Sequence, residues 1–140
     1  MIFEKIKNHF NGNLAGKTIA LWGLSFKPNT DDMREAPSRV LMETLWAEKV
    51  KVQAYDPAAM EETQHIYGQQ AFLQLCGTKE AALQGADALV IMTEWRQFKA
   101  PDFDFIKSTL KQPLVFDGRN LFDPSRMKRS EEHTSELQSH

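Results

Sequence analysis

Thr18-Ile19-Ala20-Leu21-Trp22-Gly23-Leu24 is apolar at almost every position. Side chains on a strand alternate between faces, so a run with no polar face fits a strand of a parallel sheet covered by helices on both sides. Ala88-Leu89-Val90-Ile91-Met92 and Pro113-Leu114-Val115-Phe116 repeat the pattern. Val50-Lys51-Val52-Gln53-Ala54-Tyr55 alternates and belongs nearer an edge. Ala71-Phe72-Leu73-Gln74-Leu75-Cys76 reads either as a short strand or as a helix end.

Between these runs the spacing turns helical. Phe3, Ile6 and Phe10 fall on one face of a short helix, which the turn formers Asn11 to Lys17 end. Val40, Leu41, Thr44 and Leu45 share a face, as do Phe103, Ile106 and Leu110, and residues 79–84 should be helical. Pro57 and Pro101 sit where first helical turns should begin. The resulting β-α-β-α-(β)-α-β-α-β order specifies an α/β fold: a doubly wound, mostly parallel, Rossmann-like sheet in a single domain with right-handed crossovers.

Length and composition narrow the function. A chain of 140 residues suits one domain and is short for a complete two-substrate oxidoreductase. No apolar run approaches the roughly 20 residues that span a bilayer. The first ten residues lack the apolar core and small-residue cleavage site of a secretory signal, so a cytoplasmic location is expected. A single cysteine, Cys76, excludes an internal disulfide and a Cys-based metal cluster, and His9, His65, His133 and His140 lack ligand spacing, so no metal site is expected. Setting aside the last twelve residues, the body carries 16 basic and 16 acidic side chains. That balance lacks the cationic excess that drives nucleic-acid binding. Residues 129–140, Arg-Ser-Glu-Glu-His-Thr-Ser-Glu-Leu-Gln-Ser-His, have no apolar periodicity and read as a translated sequencing adapter, the alternative being a polar native terminus.

In open α/β sheets, ligands bind beyond the carboxyl ends of the strands. The loop after the first strand is the richest there: Gly23-Leu24-Ser25-Phe26-Lys27-Pro28-Asn29-Thr30-Asp31-Asp32-Met33-Arg34-Glu35-Ala36-Pro37-Ser38. Connections of this length usually have a task. Gly23 stands alone, without the G-x-G-x-x-G spacing of a dinucleotide cradle. Lys27 as a point charge and Arg34 as a planar fork can hold phosphate oxygens from two directions; they can equally balance Asp31, Asp32 and Glu35. Asp56, before Pro57, reads as a helix cap ahead of a ribose-binding acid. Arg96 and Arg119 are delivered to the same rim, Arg119 after a glycine that permits close approach, with ligand contact and salt bridge both open. Cys76 sits in an apolar setting that favours an inert thiol over a nucleophile.

The run from Gly23 to Ser38 closely resembles the signature opening the last domain of bacterial UDP-glucose dehydrogenases, within the UDP-glucose/GDP-mannose dehydrogenase family. Ala54-Tyr55-Asp56-Pro57, Thr93-Glu94-Trp95-Arg96-Gln97-Phe98 and Asp117-Gly118-Arg119-Asn120 follow in the family's order, and the match covers about residues 1 to 128. The resemblance implies that Phe26, Lys27 and Arg119 contact the nucleotide-sugar and that Arg34 reaches NAD held by another domain. It implies oxidation of the sugar's primary alcohol twice to a carboxylate, with two hydrides passed to NAD through a thiol-bound intermediate. The family's Gly-rich NAD fingerprint and catalytic Cys, Lys and Asp have no counterparts, which places the amino-terminal and central domains ahead of residue 1 and leaves no catalytic residue here. The expected partners are UDP-glucose, those two domains and, in the full enzyme, a homodimer.

Three parts follow: residues 1–16 as the end of a connecting helix and linker, 17–128 as the nucleotide-sugar-binding domain, and 129–140 as the adapter-like tail. Without the central domain, the Phe3, Ile6, Phe10 stripe is expected to expose apolar surface and promote association. The alternatives are the equivalent domain for GDP-mannose or UDP-N-acetylmannosamine, Lys27-Pro28-Asn29-Thr30 favouring UDP-glucose, and, from another class, a phosphorylation-dependent receiver module. A receiver needs an Asp ending the third strand and a Lys after the fifth, where this chain has Cys76-Gly77 and Asp117-Gly118.

Overall fold

The computed structural model describes residues 2–99, 101–118 and 138–139. Among the described residues, five α-helices, α1 (Ile2–His9), α2 (Pro37–Ala47), α3 (Met60–Tyr67), α4 (Lys79–Leu83) and α5 (Phe103–Thr109), surround a sheet. Its strands are β1 (Thr18–Trp22), β2 (Lys51–Tyr55), β3 (Leu73–Leu75), β4 (Ala88–Ile91), β5 (Leu114–Asp117) and the two-residue β6 (Gln138–Ser139). The spatial order is β3-β2-β1-β4-β5-β6, every pairing parallel. This is the doubly wound α/β architecture that the apolar runs predict. The run 71–76 resolves as a strand. β2 lies one strand in from the β3 edge, nearer an edge than β1, and its polar Gln53 is buried, donating to Ala82 O and Gln84 O at 2.8 Å.

The two faces of β1 explain its composition. Ile19 and Leu21 enter one core with Ile6, Leu41, Met42, Leu45, Val52 and Phe116. Ala20 and Trp22 enter the other with Leu83, Leu89, Phe98, Ile106 and Val115. Each fully buried Leu, Ile or Phe contributes roughly 1.5–3 kcal/mol relative to exposure, so a polar residue on either face of this strand would be costly.

Three expectations are corrected. Helix α2 starts at Pro37 and buries Ser38, Leu41, Met42 and Leu45, while Val40 is 55% exposed; Ser38, whose hydroxyl donates to Leu24 O, lies on the inward face. Helices α3 and α5 begin at Met60 and Phe103, later than Pro57 and Pro101 suggest, because Asp56 first closes a turn and Asp102 caps α5 through the Phe105 amide at 3.0 Å. The α1 stripe does not lie stripped of a partner: Ile6 and Phe10 are buried and Phe3 packs against the domain's own core. Among the described residues, no helix is long and apolar enough to cross a membrane.

Candidate functional site

Strand register puts the polar loops at one rim. Trp22 is level with Tyr55 and with Ile91, and Ile91 with Asp117. Because the strands run parallel, Gly23, Asp56, Met92 and Gly118 all emerge together beyond their carboxyl ends. The backbone joins them there: the Gly23 amide donates to Tyr55 O at 2.8 Å, Met92 to Trp22 O at 2.9 Å and Gly118 to Ile91 O at 2.9 Å. Glycine is needed at Gly23, whose backbone is left-handed and where a Cβ would lie 2.5 Å from Thr93 N; at Gly118 a Cβ would meet the flexible Met92 side chain at 2.5 Å and the Ile91 carbonyl at 3.3 Å.

The long loop, residues 23–36, folds over Asp56. This carboxylate is 2% exposed. Its Oδ2 accepts from the Leu24 amide at 2.7 Å, the Ser25 amide at 3.0 Å and the Trp95 indole at 3.2 Å. Its Oδ1 accepts from the Ala58 and Ala59 amides at 2.8 and 2.9 Å. The capping reading thus holds for the turn before α3, and the ribose reading does not: both oxygens point into the protein. Sequence reasoning missed the larger role, that one side chain binds the β1 loop, the β2 turn and the β4 loop together. Thr93, fully buried, donates from Oγ1 to Ser25 O at 2.7 Å, and Ser38 Oγ donates to Leu24 O.

Beyond Ser25 the loop turns outward. Phe26 is 42% exposed and Lys27 is exposed, with the Phe26 amide held by Asp32 O at 2.8 Å. Arg34 makes the charge-balancing contact: its Nε and a terminal nitrogen each lie 3.0 Å from an Asp32 oxygen. That fork, helped by the Arg34 amide, holds the Asp32 carboxyl down at about 2. Arg34 also lines a cleft of about 550 Å³ with Thr30, Asp31, Arg39 and Glu62, on the α2–α3 side of the loop. Lys27 is not among the residues lining it, though its charge, behind that of Arg34, also helps hold the Asp32 carboxyl down. Arg119 lies outside the described residues; Gly118, at the rim, is the residue before it. Arg96 is exposed in a single 3-10 turn, Arg96–Phe98. Cys76 is buried, and burial pushes its thiol up, away from the thiolate a nucleophile needs.

A parallel doubly wound sheet with a long, rigidly held polar loop at its carboxyl rim and no glycine-rich cradle defines an α/β ligand-binding domain distinct from a dinucleotide fold. Residues 20–124 match the UDP-glucose/GDP-mannose dehydrogenase family, UDP binding domain, and the chain belongs to that family. It is 48% identical over 130 residues to the UDP-glucose 6-dehydrogenase of Pseudomonas aeruginosa, covering 91% of this chain and 29% of that protein. A UDP-glucose dehydrogenase structure from Pyrobaculum islandicum superposes with a TM-score of 0.75 at 25% identity, over 99% of this chain and 27% of that one. A UDP-D-ManNAc dehydrogenase structure from Pyrococcus horikoshii does so with a TM-score of 0.67 at 26% identity, over 88% and 26%. The chain therefore spans less than a third of the length of each of these proteins.

Proposed function

We propose that this chain is the carboxy-terminal, UDP-sugar-holding part of an NAD-dependent UDP-glucose 6-dehydrogenase that works in the cytoplasm as a homodimer. The observation that carries the reading is the strand register, which brings the 23–36 loop and Gly118 to one rim of the sheet. Lys27 supplies a point charge and Arg119 a planar fork for the diphosphate, and the exposed ring of Phe26 packs on the nucleotide-sugar. Arg34, on the cleft side, faces NAD. The fit to NAD is partial: Gly23 packs against Thr93 instead of opening toward a pyrophosphate, so the rest of the dinucleotide belongs to amino-terminal and central domains that this chain does not span. NAD supplies the hydride acceptor, while the residues here bind and orient.

Alone, the chain holds ligand and does not turn it over. Titration with UDP, followed through Trp22 and Trp95 fluorescence, should saturate. Lys27→Ala should weaken binding about tenfold, the loss of one charge-assisted contact. Absence of saturation, or NADH formation at enzyme-like rates from UDP-glucose and NAD, contradicts the proposal. Similarity to the Pyrococcus horikoshii structure keeps a second reading, UDP-N-acetylmannosamine as the sugar nucleotide; competition between the two UDP-sugars separates them. Tighter binding of GDP than UDP would point to GDP-mannose.

A further inference from the structure

Ser25 stands immediately before the two outward-facing residues Phe26 and Lys27, and every polar group it owns is engaged. It is 1% exposed. Its amide donates to Asp56 Oδ2 at 3.0 Å, and its carbonyl accepts from Thr93 Oγ1 at 2.7 Å. Its hydroxyl lies 2.9 Å from Lys27 O and 3.2 Å from Asp56 Oδ2, two acceptors between which one proton is shared. The clamp on Ser25 therefore comes from two other loops, 31 and 68 residues away in sequence, and it reaches forward to the backbone of Lys27 itself.

We infer that Ser25, clamped between Asp56 and Thr93, is the positioning residue that presents Phe26 and Lys27 to the nucleotide-sugar. Deepening the proposed function, this inference rests on that reading for the identity of the ligand, though not for the clamp. A lysine on a free loop would have to be ordered when ligand binds, and that ordering costs affinity. Here the Lys27 backbone is fixed in advance by the Ser25 hydroxyl, and Ser25 by buried partners. The Phe26 amide, bonded to Asp32 O, closes the loop from the other side. Asp56 and Thr93 touch no ligand; they act through Ser25.

Thr93 offers the cleanest test, because Val matches its shape without the hydroxyl and Ser keeps the hydroxyl without the methyl. In the 140-residue chain, Thr93→Val should weaken UDP binding about fivefold to tenfold, as expected for one lost hydrogen bond. It should also speed amide hydrogen exchange at Ser25 and Phe26, whose amides are bonded to Asp56 and Asp32, by a similar factor. Thr93→Ser should restore both to within about twofold of the parent. Both measurements are made well below the melting point of each variant, so that lost stability does not imitate lost affinity. A Thr93→Val protein that melts earlier yet binds UDP and exchanges like the parent would overturn the inference and leave Thr93 a purely structural residue. Unchanged exchange rules out the clamp whatever UDP does. Failure of the parent to bind UDP, with the exchange difference present, removes the ligand assignment while the clamp survives.

Discussion

Gly16 and Gly23 flank the two ends of β1, and both take a left-handed backbone, with φ of 86° and 97°. Their surroundings differ. A Cβ on Gly16 would meet nothing within 4 Å, whereas on Gly23 it would fall 2.5 Å from the Thr93 amide nitrogen. The buried carboxylates repeat the contrast. Asp87, at the amino end of β4, accepts the Thr18 amide at 2.8 Å, while Asp56, at the carboxyl end of β2, gathers amides from two loops and an indole from a third. Short turns and backbone bonds such as Asp87 N to Thr18 O at 2.7 Å and Gly16 N to Lys49 O at 3.1 Å suffice at the amino rim. At the carboxyl rim a long loop has no ladder to join, so buried side chains do that work, and rigidity is concentrated where the proposed ligand sits.

Substitutions at matched positions can break or sharpen this contrast. The largest effect is expected from Asp56→Ala, which strands five N–H donors, three of them in buried hydrogen bonds, and should lower unfolding free energy by about 3 kcal/mol or more. Asp87→Ala should cost about 1 kcal/mol. Similar urea midpoints for the two variants would erase the difference between the rims. Next, Gly23→Ala adds overpacking against Thr93 to left-handed strain and should cost about 3 kcal/mol. Gly16→Ala should cost about 1 kcal/mol from strain alone; thermal melts that fall equally would mean the Gly23–Thr93 contact relaxes freely.

The smallest effect belongs to the solvent-facing pair Asp32–Arg34. The Asp32 carboxyl is held at about 2 instead of its ordinary 3.8, so a depressed acid contributes stability above about pH 4 and loses it as pH falls toward 2. With Arg34 89% exposed, screening keeps that contribution slight. The midpoint difference between the parent and Asp32→Asn should be small at neutral pH, smaller in added salt and fading as pH falls through about 2. A large, salt-independent difference would put this pair among the buried clamps.

Much of the fold was legible in the chain because strands buried on both faces cannot hide their composition: β1, β4 and β5 announce themselves through runs such as Ala88 to Met92. The helix stripes were legible as stripes, but not which side faced in. Val40 and Met42 both fit an apolar face, and only packing against the sheet chooses Met42. At the site, the loop from Gly23 to Ser38 stood out by its length and charge, and the alternative reading of Arg34 as a charge balancer describes its contact here. Asp56 and Thr93 were not legible as clamps. Their partners lie 31 to 68 residues away, and nothing local distinguishes a capping aspartate from one that also gathers two other loops. The available signal was weak: in Tyr55-Asp56-Pro57 and Met92-Thr93 a polar residue follows directly on an apolar strand, where a side chain can turn inward to the next loop.

The most direct test of the central claim is a UDP titration of the isotope-labelled chain followed by amide chemical shifts. Ligand held at the carboxyl rim should move the resonances of Gly23 to Ala36, Thr93 to Gln97 and Gly118, and leave Gly12 to Lys17 and Gln84 to Asp87 in place. Shifts centred on those amino-rim turns, or none at saturating UDP, would contradict it.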